Sequence, residues 1–160
     1  MQNVQQLLQR LIAAGVDLVI VGDFAGAAYG ASRLTRVLEI CLPSDRHALE
    51  RLLDALRDLR PVFRPPPEGR PLPTDVEKLV GFRNLYLHTD LGDLDCLSYV
   101  EGLGDYPVLR ERSRVIKVWD HEVRVLDLEA LVQAKRALGR PRDLDALPEL
   151  EALLELSRES

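Results

Sequence analysis

Leu18-Val19-Ile20-Val21-Gly22-Asp23 and, farther on, Val37-Leu38-Glu39-Ile40-Cys41-Leu42 are the stretches on which the reading of this chain turns. The first is a continuous apolar run of strand length that stops at a glycine. The small, alanine-rich residues 22–30 follow, and they are expected to form a loop entering a closely packed helix. The second stretch reads as another strand. Side chains alternate across a strand, so Val37, Glu39 and Cys41 share one face. Glu39 is therefore a carboxylate within an apolar strand, and Asp23 is a carboxylate directly after a glycine.

Outward from these stretches the pattern alternates between helix and strand. Val4, Leu7, Leu8, Leu11 and Ile12 recur at helical spacing, with Gly15 as a stop. Ser44 is placed to cap a helix whose apolar face is Leu49, Leu52, Leu53, Leu56 and Leu59, ended by Pro61. Residues 61–73 hold six prolines and are expected to be an ordered surface loop. Residues 84–89 and 94–100 read as a hairpin turning through 90–93. A second hairpin joins 115–118 to 123–126 through Asp120-His121. Two helices, 128–138 and 144–156, are split by Gly139-Arg140-Pro141. The expectation is an α+β chain forming one domain over residues 1–160, with a helical C-terminal part from 127.

Composition narrows the function classes. At 46% hydrophobic residues, the 160-residue chain can bury a core without disulfide or metal staples. A formal net charge of -5 argues against general nucleic-acid binding, which needs a cationic field, but leaves room for a small nucleotide with Mg²⁺. The cysteines, Cys41 and Cys96, form no CxxC pair, so a zinc site is not expected and a reduced, cytoplasmic protein is. Residues 1–11 carry neither a basic region nor a long apolar run, so neither a signal peptide nor a membrane association is expected.

Nucleotidyl transfer has recognisable needs. Metal ions bridge a triphosphate and the attacking hydroxyl. Mg²⁺ takes carboxylate oxygens, supplied by two acids at i and i+2 of one strand and a third from a neighbouring strand. The phosphates need a tight loop free of bulky or anionic side chains. Val19-Ile20-Val21-Gly22, Thr35-Arg36 ahead of a strand, Gly92-Asp93-Leu94-Asp95 and Lys135-Arg136-Ala137-Leu138-Gly139-Arg140-Pro141-Arg142-Asp143 occur here in an order that resembles the nucleotidyltransferase superfamily. The likeness is to its small bacterial, minimal and toxin-like members, and it covers nearly the whole chain. It implies a mixed β-sheet flanked by helices, with helices at the C-terminus. Carried over, Gly22 and Asp23 take the phosphate-loop positions, Val37 and Glu39 the first two metal-ligand positions, and Asp95 the third. Lys135 would approach the nucleotide or a phosphate.

The same resemblance implies an altered site. Valine binds no metal, Glu39 is a methylene longer than aspartate, and Asp23 sets a negative charge where a triphosphate would lie. The first expectation is a scaffold without its usual transfer chemistry, a natural pseudoenzyme or an engineered variant, holding a small molecule or nucleotide in the cleft and needing no cofactor. A second is a pocket rebuilt as an engineered ester hydrolase, pairing Cys41 or Cys96 with His47, or Ser98 with a nearby histidine. A third is surviving transfer of NMP from an NTP, with one Mg²⁺ on Glu39 and Asp95. Plainer roles stand beside these. Asp23 can cap a helix, and repulsion between Glu39 and Asp95 should raise the pKa of one of them. Cys41 either points into the cleft or is core, and Cys96 packs under a helix. Ser98 and Tyr99 could line the rim. His88 and His121 have no evident partner, Trp119 packs beside its own hairpin, and residues 149–159 form a solvated acidic face.

Overall fold

The computed structural model describes residues 3–33 and 35–159. Residues 1, 2, 34 and 160 of the expected span lie outside these. In chain order the elements begin with α1 (Val4–Ala13), β1 (Val19–Val21), α2 (Gly22–Ala28), β2 (Val37–Cys41), α3 (Arg46–Leu56) and β3 (Val62–Phe63). Next come β4 (Asn84–Thr89), β5 (Gly92–Leu97), β6 (Tyr99–Val100), β7 (Gly104–Asp105) and α4 (Tyr106–Glu111). The chain closes with β8 (Ser113–Val118), β9 (His121–Leu126), α5 (Leu128–Leu138) and α6 (Pro141–Glu159).

Seven strands form one mixed sheet in the order β3-β4-β5-β2-β1-β9-β8, and β6 and β7 pair separately. β2 runs antiparallel to β1 and parallel to β5, and β1 runs parallel to β9. The expected α+β architecture, a mixed sheet with flanking and C-terminal helices, is thus observed. Burial follows the period of two. On β5, Leu94 and Cys96 are buried while Asp93, Asp95 and Leu97 are only half-buried. Leu38 and Ile40 of β2 lie in the same core as Leu7, Leu8 and Leu11 of α1 and Leu49, Leu52 and Leu56 of α3. Each such leucine contributes about 2 kcal/mol of burial. One face of the central strands is therefore sealed by apolar packing, and the other is left for Glu39 and Asp95.

Several local expectations are corrected. No loop separates β1 from α2: the helix starts at Gly22, whose φ of +68° makes the corner. Asp23 does not cap α2; the cap position is Val21, and the Asp23 side chain goes elsewhere. α3 is capped by Asp45, which accepts from the Ala48 amide, rather than by Ser44, and it ends before Pro61. Gly92 begins β5, and the second hairpin turns on Trp119-Asp120, both with positive φ, so His121 is already in a strand. The Trp119 ring reaches beyond its hairpin to the Phe24 ring of α2, with centroids 5.5 Å apart. The proline-rich segment is ordered, as expected, but it also supplies β3, an edge strand where missing N–H groups are tolerated. α6 starts earlier than expected, at Pro141, because proline suits a helix's first turn.

Candidate functional site

The register of four strands builds the site. Val21 of β1 faces Glu39 of β2, Glu39 faces Asp95 of β5, and Asp95 faces Tyr86 of β4. Arg64 follows β3 directly, and its amide donates to the Tyr86 carbonyl at 2.9 Å, which extends the row by one position. A cleft of about 570 Å³ lies over this row, closed on its other side by Lys135 of α5 and by Arg140 and Arg142 at the start of α6.

Glu39 sits against the glycine corner. A Cβ added to Gly22 would come within 2.7 Å of the Glu39 carboxylate, so glycine is needed for the close approach as well as for its positive φ. Among the described residues, nothing hydrogen-bonds this carboxylate. Burial raises its pKa above the ordinary 4.5, Asp95 adds to the effect, and Lys135 partly offsets it. Asp95 is held differently: Arg64 Nη2 donates to its Oδ1 at 2.6 Å. Burial still outweighs that bond and leaves the Asp95 pKa raised, with Asp93 contributing. Both carboxyls thus shift upward, and desolvation matters more than their mutual repulsion.

A second cluster lies beside the first. Lys135 Nζ, 8% exposed, donates to Asp23 at 2.8 Å and to Asp143 at 3.4 Å. Asp143 is wholly buried. Burial alone would raise its pKa, but the Arg140 hydrogen bond and the charges of Lys135 and Arg140 prevail, so the net shift is downward. Arg140 supplies its backbone amide at 3.2 Å and its Nε at 2.6 Å to one carboxylate oxygen.

The other sequence candidates fall elsewhere. Cys41 and Cys96 are fully buried. Burial, with some help from Asp105, pushes the Cys41 thiol up to about 12, and burial raises that of Cys96 too. The His47 ring is bound by Arg51 Nε at 2.9 Å on α3. Ser98 donates to the Arg83 carbonyl at 2.9 Å and lines a neighbouring pocket that shares Arg83, Tyr99 and Glu101 with the cleft, while Tyr99 does line the cleft itself. His88 has a partner after all: its Nδ1 lies 2.7 Å from Asp93. Glu149, expected on a solvated face, accepts from both the amide and the hydroxyl of Ser32. Sequence reasoning missed Arg64, Arg83, Arg140 and Arg142 as cleft residues. The one signal for Arg64 was its place between the apolar pair Val62-Phe63 and Pro65, since a residue before proline is biased towards extended backbone.

In charge, the cleft is lined by five cations, Arg64, Arg83, Lys135, Arg140 and Arg142, against four carboxylates, Asp23, Glu39, Asp95 and Glu101. That contrasts with the acidic balance of the whole chain. Among the described residues no group of three or more His, Cys, Asp and Glu side chains is arranged to hold a metal ion. None of the helices there is long and apolar enough to cross a membrane.

No family model matches the sequence, and none of the curated proteins does. Among solved structures, the chain is similar to a "putative nucleotidyltransferase" from Thermotoga maritima. The TM-score is 0.55 at 17% sequence identity, with 98% of this chain and 91% of that one covered. The fold is nucleotidyltransferase-like. Identity this low bears on the fold alone.

Proposed function

We propose that this protein uses a nucleotidyltransferase-like fold to bind a phosphorylated small molecule, a nucleotide in the first instance, without carrying out two-metal nucleotidyl transfer. The observation that carries this reading is the Val37, Glu39 and Asp95 constellation itself. One expected ligand position holds hydrocarbon, and another holds a carboxylate already engaged by Arg64 at 2.6 Å. Two divalent ions need more oxygen donors than the remaining side chains offer, so this donor set does not fit the metal pair.

The cleft's own residues support ligand binding instead. Arg83 and Arg142 offer planar guanidinium donors suited to phosphate oxygens. Tyr86 and Tyr99 line the cleft, each with an arginine guanidinium (Arg64 and Arg83) over one ring face, and Asn84 offers an amide for a base. Asp23 does not repel a phosphate as a bare charge would, because Lys135 neutralises it. The test is calorimetry and thermal shift with ATP in EDTA, then with Mg²⁺, together with an assay for label transfer from an α-labelled NTP. Binding in EDTA without label transfer is the expected result. Binding that requires Mg²⁺, or transfer of labelled NMP, overturns the reading.

A second reading, NMP transfer with one metal, draws on one observation: among the described residues the Glu39 carboxylate accepts no hydrogen bond, and it lies opposite Asp95 in the register. The same label-transfer assay decides between the two.

A further inference from the structure

We propose that Arg64 is the resident counter-ion of the β5 carboxylate face, and that its guanidinium keeps divalent metal off Asp95. The proposal rests on the preceding reading of the cleft as a site that works without metal, and it explains what stands there instead.

The geometry begins in the proline-rich segment. β3 pairs with β4 at the sheet edge, Phe63 opposite Leu87 and Val62 opposite His88. The Phe63 amide donates to Arg70 and the Gly69 amide to Phe63, which closes residues 64–69 into an ordered loop. Arg64 precedes Pro65, so its own backbone is steered to extended geometry and carries on the strand line. From there the side chain crosses the face of Tyr86, its guanidinium carbon 5.9 Å from the ring centroid. Nη1 donates to the Leu87 carbonyl at 2.7 Å, Nη2 donates to Asp95 at 2.6 Å, and Nε lies 3.9 Å from Asp93. His88 takes the other oxygen of Asp93. The guanidinium is thus held by two hydrogen bonds, with Asp93 at ion-pair distance, and the side chain is only 29% exposed.

Asp93 and Asp95 stand at i and i+2 on the half-buried face of β5, and Glu39 lies across from Asp95. Carboxylates in that arrangement would attract a divalent cation if bare. A cation held at hydrogen-bond distance repels a second one strongly in a partly desolvated site. It also occupies an oxygen that a metal would need. Charge-assisted arginine–carboxylate bonds are among the stronger hydrogen bonds a protein makes, so the metal must displace a well-anchored group.

The experiment titrates Mn²⁺ alone, followed by electron paramagnetic resonance, into the wild-type chain, Arg64→Gln and Arg64→Gln/Asp95→Asn. The expected outcome is no saturable binding tighter than about 1 mM in the wild type. Arg64→Gln should bind at least about tenfold more tightly, and adding Asp95→Asn should abolish the gain. Equal affinities for wild type and Arg64→Gln, or a gain that survives Asp95→Asn, would overturn the proposal. The wild-type titration also stands on its own if the variants do not fold: saturable Mn²⁺ binding tighter than about 1 mM refutes metal exclusion. Failure of ATP to bind in EDTA would instead sink the ligand-binding reading and leave the Mn²⁺ result untouched.

Discussion

Lys135 Nζ donates to Asp23 Oδ1 at 2.8 Å, and this ion pair ties α5 to the first turn of α2 beside the cleft. The same ammonium faces the wholly buried Asp143. Lys135→Met should therefore cost about 3 kcal/mol, because it leaves a buried carboxylate with one cation fewer. Asp23→Asn should cost less, since Lys135 keeps Asp143 as a partner. Urea unfolding of both variants checks the order. A Lys135→Met cost below about 1 kcal/mol would mean the pair behaves as a surface salt bridge.

The two carboxylate clusters should give stability opposite dependences on pH. Asp143 has a folded pKa below the ordinary 3.8, so its contribution is present above that value and is lost as the pH falls through the folded pKa. Glu39 has a folded pKa above 4.5, so stability is fully present below 4.5 and is lost as the pH rises through the folded pKa. Glu39→Gln should accordingly melt above the wild type at neutral pH and converge with it in acid. Asp143→Asn should melt below the wild type at neutral pH, with the gap narrowing as acid protonates the native Asp143. Melting curves from neutral pH down to about 2 separate the two signs.

Thiol chemistry offers a third check, on the pocket as a nucleophilic site. Cys41 is fully buried with its thiol pushed up to about 12, and Cys96 is fully buried as well. A disulfide reagent such as Ellman's should label the folded protein on the order of 10³-fold more slowly than the urea-unfolded chain, because both thiolate fraction and access are lost. Rapid reaction of either cysteine in the folded state would revive the Cys/His hydrolase expectation and call for Cys41→Ala and Cys96→Ala in an ester-cleavage assay.

Much of the fold was legible because its signals are local. The apolar run into Gly22 and the helix expected over 128–138 each come from neighbouring residues alone, whereas the strand expected over 94–100 is observed as β5 starting at Gly92 and ending at Leu97. The expected strand face bearing Glu39 and Asp95 follows from the alternation of side chains along a strand plus the parallel pairing of β2 with β5. Short elements escaped: α4, β6 and β7 are too brief to show a period. Cap choice escaped too, since Ser44 and Asp45 are adjacent and both residue types cap well. The cleft's cationic lining was hidden for a different reason. Arg64 and Arg83 stand in irregular segments, and only the sheet register shows that Arg64 meets Asp95. Lys135 was visible as a cation near the site, but its commitment to Asp23 and Asp143 depends on how α5 and α6 pack against α2.

The sharpest test of the scaffold restores what the fold's chemistry would need. Val37→Asp and Glu39→Asp would set two aspartates on β2, at positions paired in the register with Asp93 and Asp95. Asp23→Gly would remove the negative charge beside Gly22. These three changes alone should not suffice, because Arg64 would still hold Asp95. With Arg64→Gln added, the fourfold variant should bind Mg²⁺ together with ATP, whereas the triple variant should bind it at least about tenfold more weakly. Calorimetry in matched buffers distinguishes them. Equal binding by the triple and fourfold variants would show that Arg64 yields readily to metal. Binding by neither, with both folded, would show that the backbone no longer brings positions 37, 39 and 95 into ligand geometry.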